Sequence, residues 1–138
     1  MIQLGSTISR KCKIFFGIPY HYGIVTSYDS NGSPRITDFL GRNKREATIT
    51  ERSLEEFLCG MKEYWIHDYK PGIHLSREEI LLRAKSAIGS TGWNASNNCQ
   101  RFVLNCTMKQ KPLVTDFEVY LILILILILL SLGLYFSL

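Results

Sequence analysis

The chain has 138 residues, enough for one domain with a modest core of its own. Sixteen Lys and Arg against 12 Asp and Glu leave a net charge of +4, too mild and too dispersed to indicate a nucleic-acid partner. Hydrophobic residues make up 46%, but the excess is gathered near the C-terminus.

In chain order, residues 6–16 read as a first strand, broken by Gly17-Ile-Pro. Residues 22–27 form a second, ended by the turn cluster Asp29-Ser-Asn-Gly-Ser-Pro. Residues 35–40 and 46–49 are the third and fourth. Ser53, with Glu56 three positions on, is a capping box that opens a short helix, and Gly60 is its expected stop. Residues 64–69 look like another strand before the Pro71-Gly72 turn. Ser76 and Glu79 open a longer helix whose apolar face is Ile80, Leu81, Ala84, Ala87 and Ile88, with Gly89 and Gly92 at its end. A further helix starts near Asn97 or Asn98, good N-cap residues, with Cys99, Phe102, Val103 and Cys106 on one face. Strands first and helices later make an α+β domain.

Residues 119–138 carry no charge and include the run LILILILILL. Twenty helical residues rise ~30 Å, about the hydrocarbon thickness of a bilayer. A strand of that length would be several times the usual one, so the expectation is a C-terminal transmembrane helix. Its place in the chain excludes a signal peptide, and residues 109–116 make a poor spacer for a processed lipid anchor. The expected division is a catalytic domain over 1–108, a tether over 109–118 and a single-pass anchor over 119–138. Lys109 and Lys111 beside the anchor favour a cytoplasmic domain.

The four cysteines, Cys12, Cys59, Cys99 and Cys106, match no disulfide scaffold and contain no CxxC pair, so free thiols in a reducing compartment are expected. No cofactor and no metal is expected. The triplets Asn94-Ala-Ser and Asn105-Cys-Thr are of glycosylation type, which matters only on an outward-facing domain. Cys99 falls in the first turn of a helix, where unpaired N–H groups favour a thiolate, and Arg101 adds positive charge nearby. The same position also suits a buried core cysteine. Cys106 lies further along that face and reads as structural. A cysteine nucleophile needs a base. His21 stands at the mouth of the second strand, where a rigid element aims it. His67 reads as a half-buried ring in a strand, and His74 as a surface residue. A third group orients the imidazole, and Asp38 is the best placed; a solvated strand-edge Asp is its plainer role.

His21-Tyr-Gly-Ile-Val and Asn98-Cys-Gln-Arg-Phe-Val resemble the histidine and cysteine boxes of the lecithin:retinol acyltransferase-like family. Leu4-Gly-Ser-Thr-Ile-Ser-Arg, Phe57-Leu-Cys-Gly-Met-Lys-Glu-Tyr and Leu75-Ser-Arg-Glu-Glu-Ile-Leu-Leu-Arg-Ala are also similar, so the resemblance covers residues 5–107 in order. It implies a circularly permuted papain-like fold, related to cell-wall cysteine peptidases. It also implies transfer or hydrolysis of acyl groups from phospholipids through a thioester on Cys99. The implied partners are a phospholipid or other lipid ester and the membrane itself. Two departures stand out. Asp38 occupies the apparent place of the family's second histidine, and Gln100-Arg101 replaces Glu-His. The rival expectations are a thiol peptidase or amidase and a membrane module without catalysis.

Overall fold

The computed structural model describes residues 2–12, 20–41, 46–92, 98–110 and 116–136. Strands β1 (Thr7–Lys11), β2 (Tyr20–Tyr28), β3 (Pro34–Leu40) and β4 (Thr48–Ser53) come first. Helix α1 (Leu54–Leu58) and strand β5 (Trp65–His67) follow, then helices α2 (Arg77–Ser86), α3 (Cys99–Thr107) and α4 (Asp116–Phe136). The strands form one sheet in the order β4-β3-β2-β1-β5, antiparallel at every pairing. The fold is therefore α+β around an antiparallel sheet.

Strand alternation separates the core into two layers. Val25 and Ile36, with Ile8, pack on Phe57 of α1 on one face. Ile24, Phe39 and Ile49 pack on the other face against Ile80 and Ala84 of α2 and Phe102, Val103 and Cys106 of α3. The expected face of α3 is thus the buried one. The β2–β3 turn is held by the Asp29 carboxylate, which accepts from the Asn31 and Ser33 N–H groups at 2.8 and 2.9 Å. Gly32 sits there at a φ of 78°, a conformation open to glycine at little cost.

Gly23, inside the histidine-bearing strand, is required for a different reason. A Cβ at that position would lie 2.5 Å from Ile36 Cγ2 and 3.2 Å from Asp38 Cβ. The strand next to His21 carries no side chain so that Asp38 can come close. Gly23→Ala is expected to cost about 1–3 kcal/mol through overpacking and to push Asp38 away from His21. Urea unfolding and the rate of Cys99 alkylation check this; a variant unchanged in both contradicts it.

Several boundaries differ from the sequence expectation. The strand expected to stop at Ile49 continues to Ser53, because Glu51 and Arg52 find partners across the sheet and need not turn to water. Helix α1 stops at Leu58, one turn signal earlier than Gly60. Cys59 takes the left-handed conformation at φ 50° and returns its N–H to Glu55 O at 3.1 Å. Helix α2 ends at Ser86, so Ile88 lies past it and is exposed rather than on the apolar face. The strand expected over 64–69 shrinks to three exposed residues at the sheet edge. The later part of the first expected strand, the Gly17-Ile-Pro break and the Asn94-Ala-Ser triplet lie outside the described residues.

The largest correction concerns the C-terminal segment. It is helical, but among the described residues no helix is long and apolar enough to cross a membrane. The transmembrane helix expected over 119–138 is therefore replaced by an apolar helix, α4. One physical reason lies in its own sequence. The helix spends its first turn on the acidic residues Asp116 and Glu118.

Candidate active site

The register of β2 with β3 runs from Tyr28↔Pro34 to Ile24↔Thr37. His21 and Asp38 lie just past its end, on the face shared by Val25 and Ile36. Here Asp38 Oδ2 meets His21 Nε2 at 2.5 Å. The Asp38 side chain is 0% exposed and that of His21 15%. The strand-edge, solvated Asp is thus not what the fold contains.

Asp38 is held from its other side by Arg52 of β4. Arg52 Nε donates to Oδ1 at 2.9 Å, and its Nη2 donates to Oδ2, the oxygen that also serves His21. Arg52 Nη1 continues to the Glu56 carbonyl at 2.8 Å, which ties the network to α1. The Phe57 ring closes the site from below, 5.6 Å from the His21 ring and 5.6 Å from the Arg52 guanidinium. A carboxylate locked by two-point guanidinium contact has little freedom to turn away from the imidazole.

Cys99 reaches this cluster from the opposite layer. Asn98 caps α3, its Oδ1 accepting the Arg101 N–H at 3.0 Å, and so fixes where the first turn points. The Cys99 thiol is buried and lies close enough to the His21 ring and the backbone N–H of Tyr22 for both to favour its thiolate. Since Nε2 of His21 is engaged by Asp38, the nitrogen facing the thiol is Nδ1. The structure therefore brings together all three residues singled out in the sequence: Cys99, His21 and Asp38.

The electrostatics favour an ion pair over a neutral thiol and imidazole. Burial pulls the His21 pKa down, but the hydrogen bonds and charges of Asp38 and Cys99 outweigh it and push it up to about 9. Burial also pushes the Cys99 thiol up. The His21 hydrogen bond and charge, with the Tyr22 N–H, win and leave it below its ordinary value. The charge that matters most at the thiol is that of His21, not the Arg101 charge invoked from the sequence. Both shifts act in one sense: they favour passing the thiol proton to the ring, which gives a thiolate facing an imidazolium.

The other candidates separate. His67 sits at the sheet edge with its Nε2 2.8 Å from Ser9 Oγ, and His74 accepts the Lys70 N–H through Nδ1 at 2.9 Å. Neither belongs to the cluster. None of the four cysteines is in a disulfide; Cys106 is buried in the α3 layer and Cys59 is exposed at the α1 cap. Cys12 lies close enough to Cys99 to feel its charge, although burial is the larger cause that raises its pKa. Arg52 was missed by sequence reasoning, because a strand ended at Ile49 leaves it in a loop. Its one signal is position: it is two residues beyond Thr50, hence on the same strand face. Among the described residues, no three His, Cys, Asp or Glu side chains cluster as metal ligands. No family model and no curated protein matches the chain.

Proposed function

We propose that this protein is a thiol acyltransferase or phospholipase of the lecithin:retinol acyltransferase-like type, acting on lipid esters at a membrane surface. The observation that carries this reading is the buried juxtaposition of Cys99 and His21, with Asp38 behind the ring and both pKa shifts favouring a thiolate and an imidazolium. The Cys99 thiolate attacks the ester carbonyl, and N–H groups at the start of α3 stabilise the oxyanion. As the intermediate collapses, the His21 imidazolium gives its proton to the departing alkoxide and the acyl group stays on sulfur as a thioester. Neutral His21 then takes a proton from water or from an acceptor amine or alcohol. That nucleophile displaces the thiolate, and the imidazolium–thiolate pair is restored. Asp38 keeps the ring oriented in both steps and offsets its charge.

The lipid preference is supported by two features. The box residues around His21 and Cys99 resemble those of lipid-acting enzymes, and the exposed Ile and Leu side chains of α4 give the domain an apolar surface suited to lipid. A thiol peptidase would use the same pair on an amide, so the test offers both substrates. Incubation with labelled phospholipid and, separately, with labelled peptides is followed by intact-protein mass spectrometry. The expected result is an acyl adduct on Cys99 from the phospholipid. An adduct from peptide alone transfers the reading to peptide cleavage, and no adduct from either overturns catalysis.

A further inference from the structure

A cavity of about 400 Å³ lies away from the thiol, between the start of β1, the segment 68–74 and the C-terminal end of α3. Thr107 lines it, eight residues beyond Cys99 on the same helix, so the two are separated by ~12 Å along the axis. Its polar lining includes Ser6, Thr7, His67, Asp68, Lys70 and His74. Nothing in the proposed acyl transfer uses these groups.

Their charges and donors are arranged in one sense. His74 Nδ1 accepts the Lys70 backbone N–H at 2.9 Å, so in the neutral ring the proton sits on Nε2 and is available for donation. Burial, then the charges of Lys70 and Arg77, hold the His74 pKa below its ordinary value, a sign of positive potential there. Arg77 is fixed in place. Its guanidinium lies 4.7 Å over the Tyr69 ring and donates to Leu4 O at 3.0 Å and Ser6 Oγ at 3.3 Å. His67 is anchored through Nε2 to the buried Ser9. Among the described lining residues Asp68 balances Lys70, and the positive excess comes from Arg77, which lies behind Ser6 and Tyr69. A cavity lined by hydroxyl-bearing and nitrogen-bearing side chains, with a fixed guanidinium behind it, suits an oxyanion.

We propose that this cavity is a phosphate-binding site, in which Lys70 and the Nε2–H of His74 hold a phosphate monoester or diester with the Ser6 and Thr7 hydroxyls opposite. The proposal does not depend on the acyl-transfer reading. The His67 ring packs 5.7 Å from the Tyr22 ring, one residue from His21, so the site adjoins the strand that carries the catalytic base.

The test uses the full chain in a neutral detergent at pH 7, with the histidine ring C–H resonances followed by NMR. Inorganic phosphate is titrated in one arm and sn-glycero-3-phosphocholine in another. Saturable shifts of His67 and His74, with His21 unmoved, are expected from at least one probe. A response to phosphate alone assigns a free phosphate or monoester, and a response to the diester assigns a lipid headgroup. Lys70→Met, at an exposed position, is expected to weaken binding at least tenfold, while Lys85→Met on the exposed side of α2 leaves it unchanged. Shifts with neither probe, shifts that do not saturate, or a Lys70→Met protein that binds as tightly as wild type overturn the site.

Discussion

Replacing Cys99 by alanine, or His21 by alanine, is expected to abolish the acyl-enzyme and to lower turnover by up to about 10⁶-fold, the scale seen when a nucleophile or its base is removed from a catalytic unit. The two losses are not additive, since neither residue acts without the other. Their pH profiles separate the roles. As pH falls through the lowered Cys99 pKa, the thiolate takes up a proton, and both iodoacetamide alkylation and turnover decline. As pH rises through about 9, His21 loses its proton. The thiolate survives, so alkylation persists, but turnover drops because no imidazolium remains to protonate the leaving group. In His21→Ala burial and the Asp38 charge raise the thiol pKa against the Tyr22 N–H alone, so its alkylation midpoint moves upward. A Cys99→Ala protein with normal turnover, or a wild-type alkylation midpoint at or above the ordinary thiol value of 9.0, contradicts the mechanism.

The helix carrying the thiol was legible because three local signals agree: a capping Asn98, an apolar face at helical spacing and a cysteine in the first turn. The strands β2 and β3 were legible from their β-branched runs and the Asp29 turn between them. Strand β4 was legible only as far as Ile49. Polar residues beyond that point look like loop until their cross-strand partners are known, and those partners are contacts between residues distant in sequence. Arg52 could not be read for that reason, nor could the second hydrogen bond on Asp38 that it makes. The residues of the α4 helix show the opposite limit. Composition and length along the chain suggested a bilayer span, whereas the helix devotes its first turn to two acids and, among the described residues, no helix is long and apolar enough to cross a membrane. The carboxylate was identifiable as a partner for His21 from its strand alone. Its complete burial was not, because that depends on Gly23 beside it and Phe57 beneath.

Removing the Arg52 guanidinium is expected to be the most destabilising single change near the site. Asp38 is wholly buried and Arg52 almost so, at 0% and 10% side-chain exposure. In Arg52→Met the methionine fills most of the volume, but the carboxylate loses its two guanidinium contacts and keeps only His21. Breaking one side of a buried ion pair in this way costs about 3–5 kcal/mol, because the remaining charge is left without its partner in a dry setting. The Glu56 carbonyl loses its Nη1 donor as well, which loosens α1 against the sheet. Asp38→Asn combined with Arg52→Met removes both charges, so the double variant is expected to be more stable than Arg52→Met alone. Urea unfolding followed by tryptophan fluorescence measures all three proteins. A second measurement separates a positioning role from bulk stability. With Arg52 gone, a like charge leaves the imidazolium and His21 is the sole partner of the Asp38 carboxylate, so the His21 pKa should rise above about 9, as read by NMR titration in the folded variant. The alkaline fall of the turnover profile should then move to higher pH. Arg52→Lys restores charge but not the two-point geometry, and should recover stability more than it recovers the His21 pKa. An Arg52→Met protein within about 0.5 kcal/mol of wild type, with His21 still titrating near 9, means that Asp38 is held without Arg52.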